Sequence, residues 1–597
     1  MVEVDRLWSV RVMLWADRWR WVVFCGLGAM LLGLWDTSWR ITAESARLAW
    51  VAQGWVETGS WMDPDGHHAA LSPGMLRLYG WMMVCLGDAW VGGVNAVVMM
   101  GAGLGLWVTY HVMRRAGRMG VGLQGLGLEG FADGDGLSDL VKRVGRGQAV
   151  IVTGLLGLSL QWAESAVRPL TDGLFLGGVM LVWLGVEVVI EGWSRRAVRE
   201  RRRRLRDQRL SGGAASAEPV TLVGRLRRAG LGWWLIKGLG LIGVGLAWAS
   251  LWRSVWVVLV AAVVLGLGVE LTRAVFWRAP PREGLGVGRR LRAGVLWGGL
   301  GLLVLAGAAW AYRRWVVGMD PALGWGPDQR VFWESLQQVD MRLGANVAAL
   351  LGEAATGGVF GLRLGVLAWV LGPVTLGFAV VWAWRSRPMW SCWVGLLVVQ
   401  WLIVQPRDRY VLACLPIVAW AWWRAAVVLE RGVRAWVSRR STGGEGRSGA
   451  WGGAIVFGFL GLWLVVNAVC LSRVLVEQRS GDGWSAYQGG RYAAVQALAE
   501  TAARTTPEDA VLIGSRGLPA MELGYLAGRR VVQELKEEVV FGPDDGQGVT
   551  LPGASAYYVV EPIGERTAAE LTRRGWRLGD RLDDGGDGLG LRRVWRD

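Results

Sequence analysis

The chain has 597 residues, 53% of them hydrophobic and only 19% charged, with a mean hydropathy of +0.32. A soluble multidomain enzyme of this length carries more charge and a polar average, and a disordered chain carries far less apolar content, so both classes are excluded. The net charge of +16 does not indicate nucleic acid either, because residues 473–597 hold 16 Lys and Arg against 19 Asp and Glu. All of the positive excess lies in 1–472, in short loops between apolar runs, which is how a membrane protein sets its orientation.

From the N-terminus, the polar and basic stretch Met1–Arg20 precedes the first apolar run without a clean small-residue cleavage site, and reads as an uncleaved signal anchor. A membrane-crossing helix needs about 20 apolar residues. Eleven runs qualify, at roughly 19–35, 89–112, 148–165, 169–191, 231–252, 254–272, 293–312, 364–384, 389–404, 409–427 and 452–472. A further run, 74–87, is too short to span and suits an interfacial or re-entrant helix. With the N-terminus inside, the inner segments carry 34 Lys and Arg and the outer ones 10, and Arg195–Arg209 alone supplies nine of the inner excess. That orientation makes 192–230 a basic cytoplasmic loop. It puts the loops 36–73 and 313–363 and the segment 473–597 outside. The expected architecture is a polytopic α-helical membrane protein of about eleven spans with a small extracytoplasmic α/β domain, in the inner or plasma membrane. The five cysteines, Cys25, Cys85, Cys392, Cys414 and Cys470, all sit in apolar runs without a CxxC pair, so neither a zinc site nor a disulfide framework is expected.

No span carries a charge at its centre: Glu187, Lys237, Glu270 and Arg424 fall near inner ends, and Glu164, Asp172 and Arg409 near outer ends. The midplane site of an ion-driven transporter is therefore missing. Polar chemistry gathers at the outer face in three places. In the first, TAESARLAWVAQGWVETG has helically spaced apolar residues and reads as an amphipathic helix on the membrane, with Thr42 as cap and Glu44 in the first turn, where a carboxylate suits the helix dipole. The second is the tight outer turn from Gln161 to Asp172, with Glu164 and Arg168 between them. Asp172 enters the membrane as its helix begins, and a carboxylate there is costly unless it is paired or functional. The third combines loop 313–363 with QPRDRY (405–410) and brings Arg330, Arg342, Arg363, Arg407 and Arg409 to the membrane surface, where guanidinium forks suit phosphate oxygens.

In their order along the chain, Glu44-Ser-Ala-Arg47, Glu57-Thr-Gly-Ser-Trp61, Ser72-Pro73-Gly74, Arg168-Pro-Leu-Thr-Asp172 and Arg409-Tyr410 leading to Pro416 form a pattern. It resembles the C-type (GT-C) membrane glycosyltransferases, in the bacterial branch related to protein O-mannosyltransferases and lipid A aminoarabinose transferases. The resemblance covers most of 19–427 and departs in one respect that touches the chemistry: the family usually has Asp at the position of Glu44, often followed by a second acid where this chain has Ser45. It implies transfer of a sugar from a polyprenyl-phosphate donor to a lipid, glycan or protein acceptor at the outer membrane face, by direct inverting displacement. Glu44 is the implied general base, with Asp36 as the alternative. Asp172 orients the acceptor or helps hold a metal. Arg409, backed by Arg168, Arg342 and Arg407, receives the leaving phosphate charge. Arg47 and Tyr410, within these motifs, are the implied further substrate contacts, and His67, beside His68 in the first outer loop, is a candidate ligand or substrate contact by its position. No ligand cluster marks a metal site; a divalent cation, Mg or Mn, is the one cofactor the two acids admit. The implied partners are the lipid-linked donor, the acceptor and membrane lipids, with no nucleic acid. The transmembrane transferase domain would be 1–472 and the α/β domain 473–597.

In that last domain the pattern predicts helices at Tyr492–Ala503 and Glu565–Arg574, strands at Ala510–Ile513, Arg530–Gln533 and Ala556–Val560, and a hairpin from Trp576–Leu582 to Leu589–Trp595. Gly514–Gly517 (GSRG) reads as a turn or a phosphate-binding helix start. Two other classes fit the same composition: a flippase or transporter of lipid-linked sugars, and a non-catalytic envelope scaffold. Both would tolerate loss of Glu44.

Overall fold

The computed structural model describes residues 7–34, 43–59, 73–120, 135–167, 172–210, 231–252, 256–276, 343, 346–347, 374, 376–381, 383–384, 387–403, 412–440, 445–479, 492–514, 520–532, 554–573, 575–584 and 589–596. They fall into two compact units: one of 1–33, 98–314 and 328–470, the other of 34–97, 315–327 and 471–597.

The first unit is helical. It contains α1 (Trp8–Arg18), α2 (Arg20–Leu34), most of α5 (Trp90–Gly120), α6 (Asp135–Gly157), α7 (Leu160–Val167), α8 (Asp172–Leu210), α9 (Leu231–Trp252), α10 (Trp256–Phe276), α11 (Pro388–Ile403), α12 (Leu415–Arg440) and most of α13 (Glu445–Arg479). Among the described residues, Gly74–Gly117, Asp172–Gly192 and Trp451–Val469 are long and apolar enough to cross a membrane, and shorter apolar helices cover Arg20–Gly33, Ile236–Trp252, Val258–Glu270 and Pro388–Leu402. Exposed apolar side chains such as Val22, Leu32, Val244, Leu462 and Val465 lie on these helices, as lipid contact requires. The expected span 293–312 lies outside the described residues, as does most of 364–384.

Three local departures from the sequence pattern have physical causes. The run 148–165 is broken: α6 stops at Gly157, and the Ser159 hydroxyl donates to Leu156 O (2.6 Å) and accepts from Trp162 N (3.3 Å), starting α7. The expected outer turn therefore begins as two helical turns that bury Trp162, Ala163, Ser165 and Ala166. The basic stretch after Gly192 continues α8 to Leu210 instead of looping, and arginine, a good helix former, lets it do so. Third, α4 (Pro73–Leu86) passes through a 3-10 turn, Gly87–Ala89, into α5, where Gly87 at φ +53° takes the left-handed conformation.

The helices meet through small residues. A Cβ on Gly185 of α8 would lie 2.5 Å from Gly238 O of α9, and one on Gly245 of α9 2.7 Å from Val182 N of α8, so the two backbones nearly touch. Tryptophan fills the remaining volume: Trp162, Trp183, Trp390, Trp393, Trp420 and Trp423 are fully buried. Trp393 donates to Ala413 O (3.1 Å) and Trp463 to Leu155 O (3.2 Å).

The second unit contains α3 (Ala43–Thr58), α4 and an α/β domain. In the latter, α14 (Tyr492–Thr505), β1 (Val511–Ile513), α15 (Ala520–Ala527), β2 (Arg530–Val532), β3 (Tyr557–Glu561), α16 (Glu565–Arg573), β4 (Trp576–Asp584) and β5 (Gly590–Arg596) follow in order. The sheet order is β2-β1-β3-β5-β4, with β1 parallel to β2 and β3, and β5 antiparallel to β3 and β4. Each element expected from the pattern in this segment is present within a few residues, and α15 is an addition. Val511, Leu512, Ile513, Val559 and Val560 are buried from both faces of the sheet, the signature of strands covered on both sides.

Candidate functional site

Helix α3 forms where the apolar spacing predicts it, from Ala43 to Thr58, and puts Glu44 in its first turn. Thr42, the expected cap, and Asp36, the alternative base, lie outside the described residues. Ser45, Ala46, Leu48, Ala49, Val51 and Ala52 are all at most 2% exposed, and Arg47 is half-buried. This face was expected to lie on the membrane, and protein covers it instead. Ala46 sits in the apolar core of the α/β domain with Val495, Leu498, Leu512, Leu523, Tyr558 and Leu591, and Trp50 packs against that core. The Trp50 ring meets Tyr525 edge-on, 5.8 Å between centroids at 75°. On the α4 side, a Cβ at Gly80 would fall 2.6 Å from the Trp55 ring. Periodicity reports that a helix has an apolar face; it does not report what covers that face. Burial raises the Tyr525 phenol, and the charge of Glu57, one turn beyond Gln53 and hydrogen-bonded to it at 2.7 Å, adds to the rise. The phenol therefore stays neutral at physiological pH.

Asp172 is the first residue of α8 in the other unit and is 6% exposed, at the positive end of the helix dipole and engaged by neighbouring groups. Gly173 beside it lets the chain pass close: a Cβ there would sit 3.0 Å from Ser165 O and 3.4 Å from Ala102 Cβ. One residue on, Leu174 O accepts from the Trp248 indole of α9 at 2.8 Å. The start of α8 is thus pinned by α5, α7 and α9. A buried carboxylate on so fixed an element is oriented by the fold itself.

Glu44 and Arg47 share α3, while Asp172 belongs to the membrane unit. Arg168, Arg342, Arg407, Arg409, Tyr410 and His67 lie outside the described residues. Among the described residues, no group of three or more His, Cys, Asp and Glu is arranged to hold a metal. Trp50 and Tyr525, which hold α3, carried no sequence signal as site residues, because their meeting joins positions 475 apart in the chain.

Charges near the helix ends form a second pattern. Glu187, fully buried, takes Arg387 in a fork at 2.8 and 3.2 Å. Asp17 takes Arg146 at 2.7 and 3.0 Å, and Glu191 pairs with Arg115. Glu430 accepts from the first amides of α1, Trp8 N at 2.6 Å and Ser9 N at 2.9 Å. These carboxylates join helices far apart in sequence and serve packing.

No family model and no curated protein matches the sequence. Solved structures do. ArnT from Cupriavidus metallidurans in the apo state is similar at 13% identity and a TM-score of 0.46, over 96% of this chain and 97% of that one. The Archaeoglobus fulgidus oligosaccharyltransferase tethered with an acceptor peptide is similar at 10% identity and a TM-score of 0.47, over 86% of this chain and 64% of that one. AglB from the same organism, in complex with an inhibitory peptide and a dolichol-phosphate, gives 10% and 0.46 over the same shares. The chain thus spans just under two thirds of the oligosaccharyltransferase.

Proposed function

We propose that the protein is an integral-membrane glycosyltransferase that moves a sugar from a polyprenyl-phosphate donor to a lipid, glycan or protein acceptor at the extracytoplasmic face. The observation that carries the reading is the first-loop helix α3. It bears Glu44 in its first turn, within the ordered motif series Glu44-Ser-Ala-Arg47, Arg168-Pro-Leu-Thr-Asp172 and Arg409-Tyr410, and its face from Ser45 to Ala52 is buried in protein. The same helix packs in one unit with the α/β domain, as two segments on one side of a membrane do.

In this reading Glu44 takes the proton of the acceptor hydroxyl as its oxygen attacks the anomeric carbon. The bond from that carbon to the phosphate oxygen breaks on the opposite side, so configuration inverts. The charge that builds on the polyprenyl phosphate is received by Arg409, with Arg168, Arg342 and Arg407 around it. Asp172, fixed at the start of α8, orients the acceptor. Arg47, Tyr410 and His67 contact the substrates. No step is assigned to a metal.

The test is a transfer assay in membranes with polyprenyl-phosphate hexoses and pentoses as donors, at matched expression. Glu44→Gln is expected to cut turnover by about 10²–10⁴-fold, and Asp172→Asn by less. Full activity in Glu44→Gln would move the base to Asp36 or to another residue. Unchanged donor appearing on the opposite leaflet, with no glycosylated product, would replace the transferase reading with a flippase.

A further inference from the structure

We infer that the C-terminal α/β domain is the positioning element of the catalytic helix, acting on Glu44 through Ala46 and Trp50; the inference rests on the reading of Glu44 as the base. Helix α3 is about 24 Å long, at 1.5 Å per residue over its 16 residues. Ala46 and Trp50 stand four residues apart, on one face. That face is built into the α/β domain. Ala46 is 0% exposed in a cluster with Val495 and Leu498 of α14, Leu512 of β1, Leu523 of α15 and Leu591 of β5.

Trp50 packs against α15. A Cβ on Gly524 would collide with Val531 Cγ2 of β2 and come 2.8 Å from Arg529 O and 3.0 Å from Trp50 Cη2, so the bare glycine lets both β2 and the indole close on α15, and Tyr525 meets that indole edge-on. Trp55, five residues further and so roughly 140° around the helix, is seated over Gly80 of α4. Contacts on two different faces stop α3 from rolling about its axis. The domain-side contacts lie nearer to the base: Glu44 is two residues from Ala46, about 3 Å along the axis. A small rotation at Trp50 therefore moves the backbone position that carries Glu44. Catalysis by a positioned base loses about 10²-fold for a displacement on the order of 1 Å.

The domain in this account contributes no reacting group. Trp50 and Tyr525 are positioning residues, and their effect must pass through Glu44. Trp50→Ala is expected to lower kcat roughly ten- to a hundredfold with the donor KM unchanged, and Trp50→Phe to restore most of it. In a Glu44→Gln background, Trp50→Ala is expected to cost nothing further, because residues acting as one unit are non-additive. A full additional loss in that background would overturn the inference, and so would a change in KM alone.

Hydrogen exchange of the 43–52 amides in the intact chain supplies a readout independent of activity. Tyr525→Leu keeps an apolar side chain but removes the ring contact, and is expected to speed exchange across those amides while those of α8 stay unchanged. Unchanged exchange across 43–52 would overturn the inference even if transfer activity is lost. If the wild type turns over no donor, the transferase reading fails, and the exchange result alone decides whether the domain holds α3.

Discussion

Arg387 and Glu187 are 6% and 0% exposed, and their fork of hydrogen bonds, with the charge of Glu270 acting on the same guanidinium, offsets the cost of burying them. Removing one partner strands the other. Arg387→Ala is expected to destabilise the protein by about 3–5 kcal/mol, read as a lower melting temperature in detergent, whereas Arg387→Met combined with Glu187→Leu is expected to recover most of that loss. Asp17 of α1 gives the complementary case. Burial alone would raise its pKa, but the hydrogen bond and charge of Arg146, with those of Arg20, outweigh it and hold the carboxylate below its ordinary value, and Arg143 adds a longer contact at 3.7 Å. A depressed pKa gives stability that is complete above the unfolded value, near pH 4, and is lost as pH falls through the folded one. Melting followed from pH 7 to pH 3 should show Asp17→Asn less stable at neutrality and converging with the wild type at the acid end. A constant gap would remove the Arg146 pairing from the account.

The pairing of α8 with α9 shows what an element requires of its sequence. Gly178, Gly185 and Gly192 recur every seventh residue on α8, opposite Gly238 and Gly245 on α9. A side chain at Gly185 meets backbone, at 2.5 Å from Gly238 O and 2.8 Å from Ile242 N, and neither helix is able to yield locally. Gly243, on the same α9, has nothing within 4 Å of its missing Cβ. Gly185→Val is therefore expected to cost at least about 1–3 kcal/mol, while Gly243→Ala is neutral or slightly stabilising because alanine favours the helix. Equal melting temperatures for the two variants would show that the close approach is not needed. Seven-residue spacing is visible in the sequence, but which glycine-bearing helix answers it is not, because several apolar segments offer small residues.

At the scale of the whole molecule, the α/β domain is not closed by its own segment. Its core includes Ala46, and Trp50 of the first loop packs against it. A fragment of 473–597 alone leaves that face open. It is expected to bind an apolar dye and unfold with low cooperativity, and addition of a peptide covering 43–58 should suppress the dye signal. A fragment that unfolds sharply and binds no dye would show that the domain completes its core without α3.

Legible in the sequence were the apolar runs, the helix that carries Glu44 and, among the described residues, most strands and helices between 492 and 596. All of these are written in local periodicity and charge bias, and a window of ten to twenty residues contains the information. It missed the start of α7, where one hydroxyl decided the matter, and the helical continuation through the arginines of α8, where a topology signal was read as a loop. Only the tertiary structure decided that Glu187 belongs to Arg387, that Glu430 caps α1, and that α3 is covered by protein. An apolar face or a buried charge states a requirement for a partner. Which of many equally apolar or equally cationic segments meets it depends on how the backbone returns, and that is fixed by the packing of the whole chain.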